Sequence, residues 1–386
     1  MFPEIYLAVD NCFASKRWTE PSEWMRIVRD AGIFYVEASA DTECDPLYSP
    51  PEVLQDWIEA VQAASARTGV RVANLYSGHG TYATLGLAHP DPRVRDHIQH
   101  RWLEPMIRNA AVLGAGLGFF CHAFPQSVLR QPERYAEAEA DLIARLTQLA
   151  GAAWQAGVSL CIEQMYSPHQ IPWTIDGAAR MVQAVYDRSG TPFYLTLDTG
   201  HQVGQRRFLL PPRAAVEAVV AALRQGQAPP DVWLGLIDVV ELIDEPGAVE
   251  RLLTEMQRRA YLFAAEEDGD LYAWLRRLGC YASIIHLQQT DGLSSAHHPF
   301  TEPYNRQGIV VPERLLRALY DSYVQTEAAG FPPRCKAIYL TIELFSGTAE
   351  RPEHSLANIR ESAAYWRRFV PEDGLKLDEL VRSVIG

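Results

Sequence analysis

Short apolar runs recur along the chain, and most follow a longer mixed segment that closes on a small residue and a glycine. Asp30-Ala31-Gly32 precedes Ile33-Phe34-Tyr35-Val36, Thr68-Gly69 precedes Val70-Arg71-Val72, and Gly114-Ala115-Gly116 precedes Leu117-Gly118-Phe119-Phe120. The unit returns at Ala156-Gly157 before Val158 to Ile162, at Ser189-Gly190 before Phe193 to Leu197, at Leu278-Gly279 before Ala282 to Ile285, and at Gly330 before Ala337 to Ile342. Glycine just past a helix end takes the left-handed conformation without a Cβ penalty, so each unit predicts a helix followed by a strand. With Ile5-Tyr6-Leu7-Ala8-Val9 at the start, eight strands alternate with helices. That alternation predicts a (β/α)8 barrel, in which functional groups project from the C-terminal strand ends.

Four of the predicted strands end on hard ligands: Ile162-Glu163, Leu197-Asp198, Ile285-His286 and Ile342-Glu343. Strands of a parallel sheet are buried on both faces, and a charged group at the end of one is costly unless it is paired or bound. Each position alone has a bland reading. Glu163 can be a carboxylate paired with arginine, Asp198 part of an Asp-x-Gly turn, and His286 a satisfied core histidine. Glu343, flanked by Ile342 and Leu344, is the hardest to explain as solvated. Together, three carboxylates and one imidazole at the same end of four strands predict a site for one divalent ion. Oxygen-rich donors with one imidazole suit Mn²⁺ first, with Mg²⁺, Co²⁺ or Zn²⁺ as alternatives.

Length exceeds the roughly 250 residues of a minimal barrel, so the 386-residue chain must carry insertions. The largest spans 202–278, where Pro211 to Gln227 and Gly247 to Ala260 read as helices on either side of a Gln-Ala-Pro-Pro-Asp linker. It interrupts one βα unit of a single 1–386 domain, and is read as a lid or as a contact between copies in a homo-oligomer. No basic leader followed by an apolar stretch opens the chain, and no run approaches ~18 apolar residues, which predicts a cytoplasmic protein without a membrane partner.

A net charge of −13 disfavours a nucleic-acid surface, because phosphate backbones are held by clustered Lys and Arg. Only Lys16, Lys336 and Lys376 are lysines, and none ends a central strand, which disfavours Schiff-base chemistry. Six cysteines occur singly and read as buried reduced thiols. Other residues near strand ends are candidates to shape a pocket: His201 three residues after Asp198, His79 and His122 after the third and fourth strands, and the aromatics Tyr76, Phe124, Tyr166, Trp173 and Phe345.

The ordered set Glu163, Asp198-Thr199-Gly200-His201, His286 and Glu343 resembles the xylose-isomerase-like barrels, and within them sugar isomerases and epimerases of the tagatose 3-epimerase type, over essentially the whole chain. The resemblance implies that Glu163, Asp198, His286 and Glu343 hold the metal and that Glu163 and Glu343 also carry protons on opposite faces of a bound sugar. It further implies that His201 meets a substrate oxygen, and that Arg306, in Asn305-Arg306-Gln307-Gly308, reaches substrate hydroxyls. His122 and Trp173 complete the expected substrate contacts. The expected reaction is proton transfer through a cis-enediolate of a ketose or ketose phosphate, down to a tetrulose phosphate. Gln164 to Thr174 resembles short-chain ketose-phosphate epimerases, and Ser346-Gly347-Thr348 with Arg351 is a candidate phosphate-binding turn.

Three rival readings keep the barrel. A metal-dependent nuclease resembling endonuclease IV would use His79 and His122 as further ligands, but the Asp-x-His expected after the strand-seven histidine is missing from Asp291 to His298. A lyase would eliminate a substituent from the same enolate. A non-catalytic sugar-binding barrel would bind without exchange.

Overall fold

The structure, a computed structural model, describes residues 1–39, 44–77, 86–121 and 123–385. Its strands are β1 (Glu4–Asp10), β2 (Tyr35–Ser39), β3 (Arg71–Ser77), β4 (Gly116–Phe119), β5 (Leu160–Glu163), β6 (Tyr194–Asp198), β7 (Ala282–Leu287), β8 (Ala337–Ile342) and β9 (Leu375–Lys376). The first eight pair in parallel in chain order, and β8 and β2 both pair with β1, so the sheet closes on itself. Closure removes the sheet edges, and the expected (β/α)8 barrel is the observed one. β9 lies antiparallel to β1 at its N-terminal end, with Glu4 opposite Lys376.

Helices begin and end where the sequence chemistry puts the breaks. Pro21, Pro51, Pro132, Pro312 and Pro352 each open a helix, where a missing N–H costs nothing. Pro51–Thr68 and Ile175–Ser189 stop at Gly69 and Gly190, whose φ values of 75° and 66° a side-chain-bearing residue rarely adopts. The apolar faces of these helices pack on the barrel in one cluster with the strand residues. All six cysteines are free and buried.

Two strands differ from their predicted limits in a way that matters. The second was expected to end at Val36 but continues through Glu37, Ala38 and Ser39, and the third runs past Val72 to Ser77. Polar Glu37 and Asn74 had masked the continuation, yet both are almost fully buried. Their side chains meet: Asn74 Nδ2 donates to Glu37 Oε1 at 2.6 Å. Space for this pair comes from β4, where a Cβ on Gly116 would lie 2.6 Å from Asn74 Oδ1 and one on Gly118 2.9 Å from Asn74 Nδ2.

The 202–278 segment forms helices Arg213–Arg224 and Ala248–Arg258, within the spans expected. Val216, Val220, Leu252 and Met256 are buried in the common core cluster. Trp233 donates from Nε1 to Leu262 O at 2.8 Å, and Phe208 packs edge-on between Trp173 and Trp233. Among the described residues no helix is long and apolar enough to cross a membrane.

Replacing Gly118 with Ala is expected to destabilise the metal-free protein by ~1–3 kcal/mol, since the added methyl meets both Asn74 Nδ2 and Tyr76 Cδ2 within 3.0 Å. Urea unfolding measures this, and an unchanged midpoint would show that the glycine is not needed for the close approach.

Candidate metal and substrate site

The register of the barrel gathers the predicted ligands. Asp198 is the last residue of β6 and lies opposite His286 on β7, which in turn lies opposite Thr341 on β8, two residues before Glu343. Glu163 ends β5 beside Thr196. Ligand atoms of Glu163, Asp198 and His286 lie within 4.8 Å of one another. Glu343 joins them through His286, whose Nδ1 is 3.1 Å from Glu163 Oε1 and 3.7 Å from Glu343 Oε2.

His286 is fully buried and held from both sides. Its Nε2 lies 2.8 Å from Glu37 Oε2, opposite the carboxylates facing Nδ1. Burial alone would lower its pKa, but Glu37, Glu343 and Glu163 outweigh that and raise it well above the usual imidazole value. A carboxylate oxygen within hydrogen-bond distance of each ring nitrogen favours a ring that donates in both directions. With Nε2–H kept on Glu37, Nδ1 is the nitrogen left to face an ion, the arrangement in which a carboxylate behind a histidine fixes its ligating atom.

Asp198 is anchored from several directions. Its Oδ1 accepts from the backbone N–H groups of Gly200 and His201 at 2.6 and 2.9 Å, and Gln288 Nε2 lies 2.9 Å from both oxygens. Burial would raise this carboxyl, but His201, His297 and His286 hold it below the usual range. Gly200 of the Asp-Thr-Gly turn is needed for Gln288, since a Cβ there would sit 2.6 Å from the Gln288 amide carbon.

His201 lies where it was expected. Its Nδ1 donates to Gln164 O at 2.8 Å, which leaves Nε2 as an acceptor on the cavity side, 3.9 Å from Asp198 Oδ1. Tyr166 packs edge-on against the ring.

A cavity of about 710 Å³ opens above these groups, of a size ordinary for small-molecule sites. Glu163, Glu343, His201, Tyr76, Tyr166 and Phe345 line it. Tyr76 donates its hydroxyl to Glu163 Oε2. Two expected substrate contacts do not line it. Trp173 is buried behind it, with Nε1 on Tyr261 O at 3.3 Å, and Arg306 is exposed and paired with Glu302. Gly308 after Arg306 instead makes room for Gln289, which would meet a Cβ there. Phe124 is buried away from the cavity. His122 and His79 lie outside the described residues.

Three groups at the site were not singled out from the sequence. Glu37 sits behind His286. Asp10, at the end of β1, lines the cavity with its carboxyl raised well above the usual range by burial, then by Glu37 and Glu343. His297 lines it from the loop after β7, its Nε2 3.3 Å from Glu343 Oε2 and its backbone N–H on Gln288 Oε1 at 2.7 Å. Its φ of 49° is unusual for a residue with a side chain and marks a position held by its surroundings. A signal for Glu37 existed, a carboxylate one residue beyond an apolar run, as at Glu163. His297 carried none, because its placement depends on a loop.

The donor set fits a hard divalent ion. Glu343 Oε2 is buried and makes no well-formed hydrogen bond, facing only the ring nitrogens of His297 at 3.3 Å and His286 at 3.7 Å, which leaves it a lone pair for a ligand. Glu163, Asp198, His286 and Glu343 are the residues that would hold an ion. Asp198, His201 and His297 form a second set of possible ligand atoms within 4.8 Å.

Two outcomes follow for metal binding. Because carboxylates on both ring nitrogens favour a protonated His286 and raise its pKa, an ion must displace that proton, so affinity should rise with pH. Calorimetry in buffers of different ionisation enthalpy should show about one proton released per ion at pH 7. Glu37→Gln should weaken Mn²⁺ binding by ~10–100-fold while the protein stays folded. An unchanged affinity would show that Glu37 does not set the ring.

Comparison with known proteins places this geometry in a lineage. Residues 25–228 match the family model described as xylose isomerase-like TIM barrel. D-erythrulose 1-phosphate 3-epimerase of Brucella abortus (strain 2308) is 30% identical over 105 residues, 27% of this chain, and the match spans only 30% of that relative's length. Among solved structures, a putative xylose isomerase from Rhodospirillum rubrum superposes with a TM-score of 0.68 at 21% identity, over 94% of this chain and 99% of the other. A D-psicose 3-epimerase from Clostridium cellulolyticum H10, solved with D-tagatose, gives 0.53 at 13% identity over 98% and 96% of the two chains. An L-ribulose 3-epimerase gives 0.57 at 14% over 99% and 97%. At these identities the superpositions speak to fold alone, while the family model covers more than half of the chain: the protein belongs to the xylose isomerase-like TIM barrel family.

Proposed function

We propose that the protein is a divalent-metal-dependent ketose epimerase or isomerase that moves a proton through a cis-enediolate. The observation that carries this reading is the pair Glu163 and Glu343, two carboxylates lining one cavity and both facing Nδ1 of His286. A bound divalent ion supplies Lewis-acid stabilisation of the negative charge that develops on the substrate carbonyl oxygen.

The chain's own residues divide the remaining work. One of the two glutamates takes the proton from the carbon beside the carbonyl, and the other returns one from the opposite face. Tyr76 holds Glu163 Oε2, and His297 stands beside Glu343 Oε2, so each carboxylate is oriented from outside the cavity floor. His201 offers the lone pair of Nε2 to a substrate hydroxyl, since its Nδ1–H is committed to Gln164 O. Met165, Tyr166 and Phe345 give the cavity an apolar wall that limits water around the enediolate. Removal of the proton from C3 and its return to C3 from the opposite face gives an epimer, whereas removal from C1 and return to C2 gives an aldose. The similarity of part of the chain to an erythrulose-phosphate 3-epimerase, and of the fold to other 3-epimerases, favours the epimer and a short ketose or ketose phosphate.

The test is incubation of the Mn²⁺-loaded protein with ketoses of three to six carbons and their phosphates in D₂O, followed by NMR. Deuterium should appear at the carbon beside the carbonyl, with formation of the epimer. Glu163→Gln and Glu343→Gln should each lower kcat by ~10²–10⁴-fold. Full turnover in either variant, or binding without exchange in the wild type, would overturn the reading. About one ion per chain is expected by metal analysis.

A further inference from the structure

The cavity separates its charges. Its floor carries Asp10, Glu163 and Glu343, whereas among the described residues the one lysine or arginine that lines it is Arg207. Arg207 lies in the short turn Arg206–Phe208, six residues after His201, and is exposed at the open end. Among the described residues its guanidinium has neither an ion pair nor a hydrogen bond. Its neighbour Arg206 is tied down by Gly269 O at 3.0 Å and Gly292 O at 3.3 Å.

Other arginines near the strand ends are engaged elsewhere. Arg306 pairs with Glu302, and Arg17 donates to Gly347 O and Glu350 O, both at 2.6 Å. Arg351 of the expected phosphate-binding turn meets His354 at 2.7 Å, and neither it nor Ser346 to Thr348 lines the cavity. The turn proposed from the sequence is therefore not part of this site.

Arg207 is exposed and free of the cavity's carboxylates, so its guanidinium is available to an anion that enters the cavity. Its planar fork matches two oxygens of a phosphate or carboxylate. Ser167 and Ser294 line the same cavity and can donate hydroxyl protons. About 710 Å³ is ample for a short sugar carrying a further charged group. We infer that Arg207, with Ser167 and Ser294, forms an anion subsite at the mouth that selects a ketose phosphorylated at the end remote from the metal-binding floor. This deepens, and rests on, the epimerase reading.

The experiment compares kcat/KM of the Mn²⁺-loaded protein for matched free and phosphorylated ketoses, and for acids with a terminal carboxylate, in wild type, Arg207→Gln and Arg207→Lys. The wild type should prefer the phosphate ester. Arg207→Gln should cut the phosphorylated-to-free ratio by ~10–100-fold, chiefly through KM, with an intermediate ratio for Lys. In parallel, inorganic phosphate titrated into the metal-loaded protein should bind more weakly to Arg207→Gln than to wild type, with equal melting temperatures. Equal use of free and phosphorylated ketoses by the wild type, a ratio unmoved by Arg207→Gln, or preference for the carboxylate would each overturn the subsite. If no ketose of any kind exchanges deuterium, the epimerase reading fails, and the phosphate titration still decides whether Arg207 binds an anion.

Discussion

Everything at this site depends on how a low-dielectric barrel end tolerates Asp10, Glu37, Glu163, Asp198 and Glu343 around the fully buried imidazole of His286. Like charges in such a space repel strongly, and each needs compensation. Three kinds of compensation are visible. Hydrogen-bond donors from Asn74, Gln288, Tyr76 and backbone amides satisfy Glu37, Asp198, Glu163 and Asp10. The proton on His286 offsets part of the charge, and a raised pKa at Asp10 keeps another carboxyl from ionising as readily. What remains is Glu343 Oε2, which makes no well-formed hydrogen bond and has only the His297 ring 3.3 Å away. The divalent ion proposed for this site would complete the balance.

The barrel was legible because its signal is repeated: a helix stop, a glycine and an apolar run recur along the chain. The four residues now gathered at one barrel end were legible for the same reason, since a charged residue at the end of an apolar run breaks a pattern that buried strands otherwise keep. Glu37 and Asn74 were missed because the apolar run stops before them while the strand does not. Their partners are side chains on other strands, which periodicity cannot show. Arg306 was assigned by motif order, but its loop turns the side chain outward to Glu302, and Trp173 was assigned as a wall although its indole is anchored behind the cavity. Loop residues are placed by contacts distant in sequence, so His297 and Arg207 emerged only with the fold.

Small residues decide more of this site than their chemistry suggests. Gly118 and Gly116 admit the Asn74–Glu37 pair, Gly200 admits the Gln288 amide against Asp198, Gly204 lies against Tyr166, and Gly308 lies against Gln289. Each removes a methyl where a polar side chain must pass close to the backbone. The hydrogen bonds that orient the ligands are therefore built on absent volume as much as on the donors themselves.

The loop after β7 is fastened at its two ends: Gln289 and His298 exchange backbone hydrogen bonds of 2.9 and 3.1 Å, and Gln288 grips both Asp198 and the His297 amide. Between these clamps run Asp291 to Ala296, where Ser295 Oγ lies 3.0 Å from Gln288 Nε2. Apart from Ser295, the tips of this span, Leu293 and Ser294, meet the cavity from its rim rather than through the residues around Asp198. A change at Leu293 or Ser294 would therefore reshape the rim of the cavity while the buried carboxylates beneath keep their places.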